Sequence, residues 1–252
     1  MINRFKFIIL LLIGIFLFKW VYDVFSGEKA LSIIFENRYY IHFLILAHLP
    51  TLYFDALTWI VLCKNRKLSL FWSYVIIWIS QASGKFFPTG NITGEFIRVY
   101  LAVKRGLSTA EATSTVFIDL IIATFSLFLI AVISFIYFLL GQEEFFFSNH
   151  VIYLSLSLLL ILVSCVIFYL FIRKRIIKVF IKKTPSFFGF RISYKVLSSI
   201  IRTEKALYNI TKNITLLSKA LICRVLGWLG GAFEIYIFLW IIGLEPSVVD
   251  VI

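Results

Sequence analysis

Phe86 to Gly106 reads FFPTGNITGEFIRVYLAVKRG. Helix breakers and a charge pair crowd into this stretch, with Pro88, Gly90 and Gly94 beside Glu95 and Arg98. The surrounding chain has the opposite character. Of its 252 residues 61% are hydrophobic and 15% charged, and mean hydropathy is +0.98. Soluble domains sit near ~45–50% apolar and ~25% charged. Runs such as FSLFLIAVISFIYFLL show no polar–apolar alternation, which argues against barrel strands. Helices are the remaining way to satisfy the backbone in hydrocarbon. The composition therefore predicts an all-α polytopic membrane helix bundle.

The charges around the stretch set its geometry. The chain carries 25 basic and 13 acidic residues, a net +12. With the N-terminus inside the cell, Arg4 and Lys6, the Lys64–Lys67 cluster, Lys104-Arg105 and the many basic residues from Arg173 to Lys219 all fall on the inner side. The intervening loops SGEKALSIIFENR and GQEEFFFSN are balanced or acidic. Basic residues collect in loops that stay in the cytoplasm, so the excess charge is topological and gives no support to nucleic-acid binding. Both flanks of the quoted stretch are inside, and 36 residues run from Leu68 to Val103. Two full crossings of ~20 residues and a turn would barely fit. A re-entrant or broken-helix pair fits better, with its turn near Pro88 and Gly90.

The expected organisation is one membrane domain, 1–252, in the cytoplasmic membrane. Helices are expected over about 5–25, 39–62, 68–85, 91–103, 112–140, 150–172 and 220–243. Between the last two lies 173–217, read as a basic cytoplasmic loop and an amphipathic linker helix resting on the inner surface. Asn-Ile-Thr occurs at Asn91, Asn209 and Asn213. These are formal glycosylation acceptors, but their predicted places, in the membrane region or inside, favour helix caps.

Charged residues inside membrane segments are costly and mark function by default. Glu95 and Arg98, three residues apart on one helix face, can pair. Thr93 or Asn91 is expected to cap a helix starting near Gly94, with Glu95 in its first turn. Asp119 lies in the next helix. Glu234 lies mid-helix after Gly230 and Gly231, which are read as structural breakers. Arg224 is ten residues away, ~15 Å along a helix, so Arg98 or Lys85 is the expected partner of Glu234. His48, Pro50 and Asp55 read as a kinked helix with satisfied polar groups. The three cysteines show no CxxC spacing, and no metal or other cofactor is expected. HExxH, P-loop and GxSxG motifs are missing, so an enzyme is disfavoured.

FFPTGNITGEFIRVYLAVKRGLSTAEA resembles the signature of the flippase-like membrane domain of lysylphosphatidylglycerol synthases. The matching positions are Pro88, Gly90, Gly94, Glu95, Arg98, Leu101, Arg105, Gly106, Leu107, Ser108 and Ala112. The distal WLGGAFEIYIFLWIIGLEPSVVDVI is similar to the family's late segment. Members often carry an acid–Arg pair where this chain has Asp119-Leu120, which weakens a role carried over to Asp119. The family usually continues past the equivalent of Ile252, so the resemblance implies a short or truncated member. The aminoacyl-transferring domain of the bifunctional members is expected to be absent. The resemblance thus implies translocation or handling of a polar (phospho)lipid, with Glu95, Arg98, Gly94, Glu234 and Asp119 along the head-group path. Membrane lipids, anionic or polyprenyl-linked, are the implied partners. The alternatives are a membrane-embedded transferase acting on a phospholipid or polyprenyl-phosphate, and a non-transporting partner of a lipid- or glycan-modifying enzyme.

Overall fold

A computed structural model describes residues 2–24, 26–63, 68–86, 91–141, 149–175, 194–246 and 251. The described residues form nine α-helices and no strands: α1 (Ile2–Val24), α2 (Gly27–Glu36), α3 (Ile41–Leu62), α4 (Leu70–Phe86), α5 (Asn91–Lys104), α6 (Thr109–Gly141), α7 (Asn149–Arg173), α8 (Tyr194–Thr211) and α9 (Ile214–Ile241). The chain is an all-α membrane bundle. Stretches in α3, α6, α7 and α9 are long and apolar enough to cross a bilayer: His42–Leu62, Thr109–Tyr137, Val151–Arg173 and Ile214–Ile241. Pro88, Gly90 and most of the Lys64–Lys67, GQEEFFFSN and Arg173–Arg191 loop residues lie outside the described residues.

The chain forms two compact units, residues 1–47 with 233–251, and residues 48–232. In the first, α2 forms within SGEKALSIIFENR, a stretch expected to be a loop. Its charges suggested a loop, but Glu, Lys, Ala and Leu are also good helix formers. Ser26 precedes α2 with φ 51°, and Asn37 closes it by donating from Nδ2 to the Ile33 carbonyl at 3.0 Å.

The second unit is organised around the α4–α5 hairpin. The two helices have 17 and 14 residues. At ~1.5 Å per residue neither reaches across a hydrocarbon core of ~30 Å. They lie close because Gly94 has no side chain, and a Cβ there would fall on the Ser80 carbonyl oxygen. Ser80 fastens the crossing by donating its hydroxyl to the Gly94 carbonyl at 2.8 Å. Gly94 thus serves close approach, and α5 begins at Asn91, the first residue of the helix expected over 91–103 and three residues before the start that a cap at Thr93 or Asn91 would give. Glu95 therefore sits past the first turn, where the helix dipole acts less on it.

The Arg105-Gly106-Leu107-Ser108 run is a cap code. Gly106 takes φ 98°, a left-handed backbone that favours glycine. Its N–H donates to the Val103 carbonyl and that of Leu107 to the Ala102 carbonyl, which is the Schellman pattern. Leu107 is buried, and Ser108 Oγ accepts the Glu111 N–H at 3.2 Å to start α6. The helix consequently begins at Thr109, ahead of the expected 112. Asn213 separates α8 from α9 and caps the latter by accepting the Leu216 N–H at 3.0 Å. That break ends the amphipathic helix at Thr211 and extends the last span back to Ile214.

Two apolar clusters hold this unit. One joins Leu52, Ala56 and Trp59 of α3 to Ile76, Ile77, Ala102 and Val116. The other joins Leu62, Ile118, Ile122, Ile172, Leu207 and Ala220. Leu207 belongs to α8, so that helix packs into the bundle through one face and does more than rest on a surface. Gly230 and Gly231 do not break α9, which is helical throughout. At Gly230 a Cβ would lie 3.0 Å from Thr51 Oγ1, whereas Gly231 faces open space. Backbone hydrogen bonds of the neighbouring turns carry the helix through both.

Candidate functional site: a buried chain of alternating charges

The α4–α5 crossing places Arg98 at the centre of the second unit. Its guanidinium stacks 4.3 Å over the Trp59 ring, and Trp59 is fully buried. Trp59 is itself fixed by an Nε1–H bond to Thr115 Oγ1 at 3.1 Å. One Arg98 nitrogen, Nη2, pairs with Asp119 Oδ2 at 2.6 Å, and Nη1 faces Glu95 Oε2 at 3.4 Å. The Arg98 side chain is 5% exposed and that of Asp119 2%.

Asp119 is shared. Its other oxygen accepts from Arg224 Nη2, and Arg224 Nη1 donates to Asp55 Oδ1. Asp55 Oδ2 accepts from Gln81 Nε2 at 2.8 Å. Gly227 makes room for Asp55, since a Cβ there would lie 3.0 Å from Oδ1. The result is an alternating series: Asp55, Arg224, Asp119, Arg98, Glu95. Three of its charges lie on three different helices besides the hairpin, and the other two lie on α5. Three carboxylates face two guanidiniums, so the series carries one formal negative charge in excess.

Desolvating such charges is expensive, and mutual pairing offsets the cost only when geometry is good. Here each arginine bridges two acids, which suits its planar fork of donors. The hydrogen bonding is incomplete on both arginines. The Nε groups of Arg98 and Arg224 are buried and have no partner among the described residues. A cavity of about 340 Å³ borders the series, with Lys85, Asn91, Glu95, Arg98, Asp119 and Arg224 on its wall. Lys85 is exposed at this wall. The Glu95–Arg98 contact is the longest ion pair in the series and the partner best reached from outside, Glu95 being 25% exposed. An incoming anionic group can replace Glu95 at Arg98 with the smallest loss.

Glu95, Arg98, Gly94 and Asp119 are thus brought together. Glu234 belongs to the other unit, and the partners of Arg98 are Glu95 and Asp119. The contacts add to the sequence reading of three residues. Asp119 had a reduced standing because Leu120 follows it, but its cations come from α5 and α9, not from its neighbour in sequence. Asp55 reads as a satisfied polar group in α3, and its partners Gln81 and Arg224 place it at one end of the series. Arg224 was weighed only as a partner for Glu234. The signal for both was the rule that singled out Glu234: a lone charge in an apolar helix, LYFDALTW in one case and LICRVLGW in the other.

Among the described residues no group of three or more His, Cys, Asp and Glu is arranged to hold a metal ion. Residues 7–252 match the family model described as Lysylphosphatidylglycerol synthase TM region. No curated protein and no solved structure gives a significant match.

Proposed function

The chain belongs to the lysylphosphatidylglycerol synthase TM-region family, and from that premise we propose that it moves a polar (phospho)lipid between the leaflets of the cytoplasmic membrane, with its N-terminus inside. The observation that carries this reading is the alternating charge series beside a cavity. A head group crossing hydrocarbon needs polar partners throughout, because unsatisfied polar groups there cost several kcal/mol each. Arg98 offers a phosphate two donors in one plane. Lys85 at the wall adds a point charge that can meet the phosphate first. Asn91 and Glu95 face the same space and suit hydroxyl or amine groups.

Exchange of partners is the physical core of the reading. Phosphate bound to Arg98 displaces the weakly held Glu95, while Asp119 keeps Arg98 and Arg224 oriented. No bond is made or broken, so the role is one of binding and passage without a chemical step. The short α4–α5 pair supports it further, since Lys85 near the end of α4 and Asn91 at the start of α5 line the cavity, as the ends of short helices do in transporters.

Purified protein in liposomes tests the reading. Fluorescent phosphatidylglycerol placed in one leaflet should reach the other faster with the wild-type protein than in empty liposomes. Arg98→Ala and Glu95→Gln proteins that insert and fold normally should slow the exchange. Equal rates for wild type and both variants would exclude this site.

A further inference from the structure

A second feature of the same unit lies on the far side of Leu120. That residue lines the charged cavity and also a cavity of about 230 Å³ between α6 and α7. The latter shares Ile121 and Cys165 with a third cavity of about 320 Å³, which continues past Phe125 and Ile172 toward α8 and α9. The three spaces follow one another around the 117–125 stretch of α6, Leu120 lining the first two and Ile121 the last two. Their chemistry changes abruptly at Leu120. On one side stand six charged side chains. On the other the walls are chiefly carbon, and the hydroxyls of Thr124, Ser164 and Thr211 donate to carbonyls of their own helices at 3.0, 2.8 and 3.0 Å.

We propose that this α6–α7 groove seats an acyl chain of the same lipid whose head group enters the charged cavity, with Leu120 at the bend between the two. This rests on the lipid-handling reading above and adds where the tail goes. Burial alone gives a chain no reason to choose the groove, because bilayer tails are as apolar as the groove wall. Tethering does. A head group held at Arg98 keeps its own chain at high effective concentration next to the groove. The groove then orients the bound lipid, and only an amphiphile with a charged end and a hydrocarbon end matches both chemistries at once.

The test uses the full chain in liposomes doped with phosphatidylglycerol that carries a diazirine near the end of one acyl chain. After irradiation, cross-links should concentrate on the groove segments 117–125 and 164–172. The exposed lipid-facing stretch Leu154–Leu160 of α7 serves as the background. Ile121→Trp, which fills the groove, should reduce its labelling to that background. Lys85→Ala, at an exposed position, and Arg98→Ala should both lower groove labelling, because the head-group tether is weakened. Even labelling along α7 overturns the proposal. So does groove labelling that survives both head-group variants, since the chain there would belong to any passing lipid. Leaflet exchange is measured on the same samples. Groove labelling without exchange keeps the chain seat and sinks translocation; exchange without groove labelling does the reverse.

Discussion

Arg224 and Asp119 are joined guanidinium to carboxylate. Arg224 comes from α9 and Asp119 from α6, and Asp119 holds Arg98 of α5 by its other oxygen. One carboxylate thereby ties three helices. Asp55 of α3 enters through Arg224 and Gln81 of α4 through Asp55. The series is a structural clasp as well as a candidate binding site, which makes it possible to separate the two roles by choosing where to cut it.

Cutting at Asp119 should cost stability first. Asp119→Asn leaves two buried guanidiniums facing one fewer charge, and breaking a buried ion pair typically costs about 3–5 kcal/mol. Thermal unfolding in detergent should show a large drop in midpoint. The Asp119→Asn/Arg224→Gln double variant should lose less than the sum of the two single losses, by about 0.5–3 kcal/mol for groups in one network. Strict additivity would mean that the pair does not couple.

Orientation can be checked independently of the site. With Cys63, Cys165 and Cys223 replaced, a cysteine at Glu143 should react with a membrane-impermeant maleimide in intact cells. One at Lys183 should react only after permeabilisation. Basic residues are distributed unevenly between the loops, and loops that carry Lys and Arg stay in the cytoplasm. Labelling in the opposite pattern would invert the assigned topology.

How much of this was legible beforehand varies with the kind of signal. The helical membrane class follows from composition, and the short hairpin from the basic clusters that flank it. The Arg105–Ser108 run carried cap residues that became meaningful only when the Gly106 backbone and the Leu107 burial were seen. The Glu95–Arg98 pair is local, three residues apart, and could be read directly. Asp55 and Arg224 are 169 positions apart, and nothing in a single sequence says that two lone charges on distant helices meet. Gly230 and Gly231 misled for a related reason. Glycine marks both breaks and close approaches, and only the position of the neighbouring helix distinguishes them.

Arg98→Lys separates charge from geometry. Lysine keeps the positive charge and cannot offer the planar fork that meets Glu95 and Asp119 together while stacking on Trp59. Leaflet exchange should fall by about tenfold, equivalent to ~1.4 kcal/mol. Trp59→Phe is the companion experiment, because it keeps a ring under the guanidinium and removes the bond to Thr115. It should lower stability by about 1 kcal/mol, the net worth of one hydrogen bond, with a smaller effect on exchange. If Arg98→Lys exchanged lipid at the wild-type rate, a point charge would suffice and the fork would have no role.

The α4–α5 crossing gives the sharpest contrast between two glycines. At Gly94 an added methyl meets the Ser80 carbonyl, a backbone atom that cannot swing aside, and the hairpin must open to admit it. Overpacking of this kind costs typically about 1–3 kcal/mol. Opening the hairpin also stretches the Ser80 hydroxyl bond to the Gly94 carbonyl and withdraws Arg98, one turn along, from Asp119. Gly94→Ala should therefore lower the unfolding midpoint and slow exchange together. Gly231→Ala adds its methyl to open space within a continuous helix, where alanine is favoured over glycine by about 0.5–1 kcal/mol. Its unfolding midpoint should equal or exceed that of the wild type. A Gly94→Ala protein as stable as Gly231→Ala would show that the two short helices are not held at the distance that positions Arg98.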